Sequence, residues 1–120
     1  MEAAKDTCGR QLRVLRREES LRSRQHRGVC VRVIYEGDSL EILRTEMEPG
    51  SNLDNGKVGD FCVIHFIIEG SPAISTASES SDLMPGDSVI LNGDEKHTIT
   101  NPTFSRATLL SIVFKNEKRT

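Results

Sequence analysis

Among the side chains of this 120-residue chain whose types could do chemistry, His65, His97 and Cys62 stand out by their setting. Imidazole titrates near neutrality, so a histidine serves as proton donor, proton acceptor or metal ligand. His65 interrupts the most apolar stretch, Phe61-Cys-Val-Ile-His-Phe-Ile-Ile68, and His97 opens a short segment that ends at Asn101. Cys62 and His65 resemble a nucleophile–base pair, but a separation of three along a strand turns their side chains to opposite faces. Cys62 is therefore read as a small core residue. Ser75, Ser78, Ser80 and Ser81 fall around an expected hairpin tip, where serine is a turn former. The glycines form no phosphate-cradling pattern ahead of a helix. No motif on its own names an enzyme.

The elements that must position these side chains are short strands. From Val29 the apolar pattern has a period of two, through Val31 and Val33, and Glu36-Gly37-Asp38 makes a turn. Leu40 and Ile42 continue on one face of the next strand until Pro49-Gly50-Ser51 ends it, and a polar loop is expected through Gly59. Phe61 to Glu69 is a strand closed by Gly70-Ser71-Pro72. Ala73 to Ala77 returns, with a hairpin tip over Ser78 to Asp82. Ser88 to Leu91, Lys96 to Thr100 and Ala107 to Lys115 complete the set. Strands every eight to twelve residues, with no helical period between them, indicate an all-β sandwich or barrel. Residues 10–27 read differently, as an arginine-rich helix or a disordered tail. Leu12 and Leu15 give that helix only a thin apolar stripe.

A chain of this length makes one domain. It divides into a basic N-terminal arm, residues 1–27, and a β-domain, residues 28–120. The arm holds eight Lys/Arg against four Asp/Glu, and the remainder holds eight against fourteen. An acidic body argues against nucleic-acid binding by the whole domain and leaves it only to the arm. No apolar run approaches the roughly 18 residues of a membrane span. The absence of an apolar N-terminal segment and the scattered Cys8, Cys30 and Cys62 lead us to expect a cytoplasmic protein with reduced thiols.

Residues 85–101 resemble the second conserved motif of the cupin family, G-x5-P-x-G-x2-H-x3-N, with Gly86, His97 and Asn101 in register. Asn92 and Asp94 stand where that family usually has Pro and Gly. Glu48-Pro49-Gly50, Phe66-Ile-Ile-Glu-Gly70, Leu83-Met-Pro-Gly-Asp87 and Asn101-Pro102 resemble other family segments in the same order. The resemblance implies a double-stranded β-helix, a jelly-roll barrel, with the histidine of the second motif pointing inward.

The first motif of that family, G-x5-H-x-H-x3,4-E-x6-G, supplies most of the metal ligands. Counting back from Gly70 puts Val63 at the glutamate position and the histidines near Lys57 and Gly59. None of these replaces imidazole or carboxylate as a ligand, so the usual metal centre is expected to be broken. His65 shares parity with Val63, and if that position faces the interior so does His65. His65 and His97 can then meet, in a pocket lined also by Val63, Ile67, Ile99 and Asn101, with Lys57 at the rim. Three roles for the pair stay open: a buried, hydrogen-bonded couple, a pocket for a small polar or anionic ligand, or an unusual metal site.

The leading expectation is a small-molecule-binding cupin without metal or other cofactor. The resemblance also admits an isomerase, lyase or oxygenase using His65 and His97, and a regulatory module whose arm meets nucleic acid or protein. The apolar residues of the arm and an open edge at Val29–Ile34 lead us to expect a homodimer.

Overall fold

The structure, a computed structural model, describes residues 12–55, 61–92 and 95–115. These form ten strands: β1 (Arg22–His26), β2 (Val29–Glu36), β3 (Leu40–Met47), β4 (Asn52–Asn55), β5 (Phe61–Glu69), β6 (Ala73–Ser75), β7 (Ser80–Asp82), β8 (Ser88–Asn92), β9 (His97–Thr100) and β10 (Ala107–Lys115). All pairings are antiparallel. One sheet runs β1-β2-β3-β10-β5-β8 and the other β4-β9-β6-β7. This is an all-β jelly-roll barrel, as the strand spacing indicates.

Alternation decides which side chains lie between the sheets. Along β5, Val63, His65 and Ile67 are buried while Cys62, Ile64 and Phe66 between them are only half-buried. Val63 and Ile67 join Val29, Met47, Ile74, Leu83, Leu91, Ile99, Ala107 and Leu109 in one core. Gly70 closes β5 with φ +84°, and a side chain there would meet the Arg106 carbonyl oxygen at 2.5 Å and Ala107 Cα at 2.7 Å.

Four local expectations are corrected. Residues 12–27 contain no helix; the chain runs irregularly to Ser20 and then pairs as β1 with β2, His26 opposite Val29. The cause is the connection. Arg27 and Gly28 both have positive φ, 48° and 86°, the requirement of a two-residue hairpin turn that folds the segment back onto β2. Pairing with a β-branched neighbour outweighs a helix whose apolar stripe is thin. β1 also occupies the edge at Val29–Ile34, which is therefore not open. The polar loop before Gly59 carries a strand, β4, held along β9 by ladder bonds and by Thr98 Oγ1 donating to Asp54 Oδ1 at 2.8 Å. The serine hairpin turns earlier than expected: Thr76 to Glu79 make the turn and Ser80–Asp82 form β7.

The irregular stretch before β1 lies against the outer face of β2 and β3. Arg32 Nη1 donates to the Glu18 carbonyl at 2.9 Å, Arg44 Nη2 donates to the Arg17 carbonyl, and Arg17 Nε pairs with Glu46 at 2.9 Å.

Candidate functional site

β5 and β9 belong to different sheets and present His65 and His97 to the same interior. His65 Nε2 lies 3.2 Å from His97 Nε2, and the rings are tilted by 59° with centroids 5.3 Å apart. A third strand completes the arrangement: Ser111 on β10 sits opposite His65 in the register, with Oγ 2.7 Å from His65 Nδ1. All three side chains are buried.

Burial, and secondarily the neighbouring His97, pushes the His65 imidazole down to about 4. Burial also lowers His97, while a backbone hydrogen bond and the negative charge of Glu95 pull it partly back. Both rings are neutral at pH 7. One Nε2 must then carry a hydrogen and donate to the other. The tautomers of the two rings set which Nε2 donates, and they likewise set whether His65 Nδ1 donates to or accepts from the Ser111 hydroxyl.

Of the other sequence-predicted pocket residues, Val63, Ile67 and Ile99 are buried in the same interior. Asn101 is 1% exposed but its amide serves the chain itself. Nδ2 donates to the carbonyls of Met47 at 3.0 Å and Ser105 at 2.8 Å, and Oδ1 accepts from Thr103 N at 3.2 Å and Thr103 Oγ1 at 2.8 Å. Every hydrogen and both lone pairs of that amide are in use. Lys57 lies outside the described residues, as do Gly59 and Asp60.

Sequence reasoning missed Ser111 and a groove beside the pair. The groove, about 460 Å³, opens at the seam between β7 and β8, the end strands of the two sheets. Ile74, Leu83, Val89 and Leu91 supply apolar surface, Ser80, Ser81 and Ser88 hydroxyls, and Glu79, Asp82, Asp87 and Glu95 carboxylates. Val89, which lines the groove, is the cross-strand neighbour of His65, and Ile74 that of Ile99, but neither His65 nor His97 is among the described lining residues. The only signal in the sequence is the inward parity of Ser111 and Val89, which needs a pairing register to be useful.

The metal implied by the resemblance requires three or more protein donors. Among the described residues no group of three or more His, Cys, Asp or Glu could hold a metal ion. His65 and His97 offer two nitrogens, turned toward each other, so the described donor set does not fit the usual centre.

No protein-family model and no curated protein matches the chain. Solved structures do match. The cupin 2 domain of an XRE family transcriptional regulator from Enterobacter cloacae is 16% identical, covers 72% of this chain and 96% of its own, and superposes with a TM-score of 0.69. A cupin 2 conserved barrel domain protein from Salinispora arenicola gives 17% identity, 88% coverage of each chain and a TM-score of 0.70. A cupin superfamily protein from Desulfitobacterium hafniense gives 19% identity, 88% and 98% coverage, and 0.67. KdgF from a Halomonas species, at 11% identity, covers 81% of this chain and 88% of its own with a TM-score of 0.67. The strand order, the inward histidine of β9 and these superpositions lead to one conclusion: this chain folds as a single cupin domain.

Proposed function

We propose that the chain is a small-molecule-binding cupin that works without the family's usual metal, in the cytoplasm, where Cys30 and Cys62 remain free thiols. The carrying observation is the His65–His97 hydrogen bond. It joins the two nitrogens that would otherwise ligate, and both rings are neutral and enclosed. A ligand then enters at the seam beside the pair, where carboxylates and hydroxyls surround an apolar floor. That lining disfavours anions and suits a compact neutral or cationic molecule with an apolar part. The arm contributes less to nucleic-acid binding than its composition suggests, because Arg17 and Arg22 pair with Glu46 and Glu36.

A thermal-shift panel of amino sugars, alkyl amines and sugar acids tests this reading. Stabilisation by a non-anionic compound, lost in Ser81→Trp, which fills the groove mouth, supports it. Stabilisation by sugar acids alone, or hits that survive Ser81→Trp, would count against it.

A second reading rests on the same distance. Two imidazole nitrogens each about 2.0–2.1 Å from one tetrahedral ion would stand about 3.4 Å apart, close to the observed 3.2 Å. In that reading a cation bridges the pair, and the described residues supply two of its donors.

A further inference from the structure

Two arginines stand side by side on the outer face of the larger sheet, an arrangement that repels itself. Arg32 on β2 is the cross-strand partner of Arg44 on β3, so both side chains leave the same face with Cβ atoms roughly 5 Å apart. Like charges set directly opposite one another destabilise a sheet, and an anion between them removes the repulsion. Among the described residues, the ion pairs are made by Arg17, Arg22 and Arg106 and not by these two.

Neutral backbone covers the pair. Arg32 Nη1 donates to the Glu18 carbonyl at 2.9 Å, and Arg44 Nη2 serves both the Arg16 carbonyl, at 3.4 Å, and that of Arg17. The Nε–H groups of both arginines are buried with no hydrogen-bond partner among the described residues. A buried donor left unmet opposes folding. Two of them on neighbouring guanidiniums call for one acceptor that reaches both.

We propose that Arg32 and Arg44 form a binding site for a phosphate group, over which the strap of residues 16–19 lies as a displaceable cover. The donors select the ligand. Each guanidinium presents Nε–H and Nη–H as a fork that fits two oxygens of one anion. Two forks need more oxygens than a carboxylate has, and a tetrahedral phosphate supplies them. Its charge at pH 7, about −1.5 to −2 for a monoester, matches the two arginines. Ser23 on β1 is the cross-strand neighbour of Arg32 and shares its face, so its hydroxyl is placed to serve a further oxygen.

The cover is lightly held. Arg17 pins it by pairing with Glu46 at 2.9 Å and Glu69 at 3.7 Å, with its own side chain 52% exposed, and exposed ion pairs contribute little. Moving the strap aside exchanges three hydrogen bonds to neutral carbonyls for charge-assisted bonds, roughly twice as strong. It also releases both Nε–H groups to bond. The site lies on β2 and β3, toward the opposite end of the six-stranded sheet from β8 and the groove. It does not depend on the occupant of that groove.

Titration of the full chain with inorganic phosphate, against chloride at matched ionic strength, tests the site. Calorimetry should show saturable binding in the wild type and equally in Ser81→Trp. Arg32→Gln and Arg44→Gln should each weaken it at least about tenfold, with unchanged circular dichroism. Arg44→Lys, which keeps the charge and loses the fork, should also bind more weakly. The Nε–H proton resonances of Arg32 and Arg44 should move on titration, which a purely structural role would leave still. Trypsin should cut after Arg16 and Arg17 at least severalfold faster in saturating phosphate. Glycerol 3-phosphate in a parallel arm separates two sources: tighter binding than inorganic phosphate assigns the site to phosphorylated metabolites, and equal or weaker binding to the free ion. Heat indistinguishable from that of chloride, or binding that survives both glutamine variants, would overturn the site. Phosphate binding that leaves strap cleavage unchanged or slower would overturn the displacement.

Discussion

His65 and His97 come from different sheets, 32 residues apart, and share a single hydrogen bond of 3.2 Å between their Nε2 atoms. Ser111 extends the contact to a third strand. The barrel wall thus holds a line of three polar side chains whose protons are mutually dependent.

Stability should fall in mild acid because of this pair. The folded His65 takes up its proton at about 4, against about 6.5 when unfolded. The unfolded chain therefore binds more protons between those values, and the stabilisation is present above pH 6.5 and lost as pH falls toward 4. The loss attributable to His65 is up to about 3 kcal/mol. Urea titrations from pH 7 to pH 4.5 read it, and His65→Leu should flatten the slope, whatever its effect at pH 7. An unchanged slope in that variant would contradict the neutral buried pair.

Asn101 ties the end of β9 to β3 and to the loop before β10. Asn101→Ala removes four hydrogen bonds from a buried position and should cost about 2–4 kcal/mol, measured by chemical denaturation. Asn101→Asp should be no better, since a carboxylate cannot donate to the carbonyls of Met47 and Ser105.

Gly70→Ala should be more damaging than its single methyl suggests. The backbone sits at φ +84° and the added carbon would press on Arg106 and Ala107. A loss of about 2–4 kcal/mol, seen as a lowered denaturation midpoint, is expected from strain and overpacking together. Gly50→Ala also has positive φ but meets nothing within 4 Å, and should lose only about 1 kcal/mol.

Much of the fold is legible in the amino-acid sequence. The period-two runs of Val29–Val33 and Phe61–Glu69 place β2 and β5, and parity alone puts His65 on the inward face. The partnership with His97 requires the family resemblance, because nothing local tells one sheet which residue of another it will meet. Ser111 is hidden for a related reason: its contact depends on the register of β10 against β5, and a slip of one residue would turn it outward. The arm reads as a helix because arginine and leucine favour one in isolation, while Arg27-Gly28 and the waiting edge of β2 decide otherwise.

The central claim is that His65 and His97 serve each other rather than a metal. Elemental analysis of protein purified without chelators tests it most directly. The account predicts well under about 0.1 equivalent of any transition metal per chain, as a site with two donors requires, and no change in His97→Ala. About one bound metal per chain, abolished by His97→Ala, would contradict it.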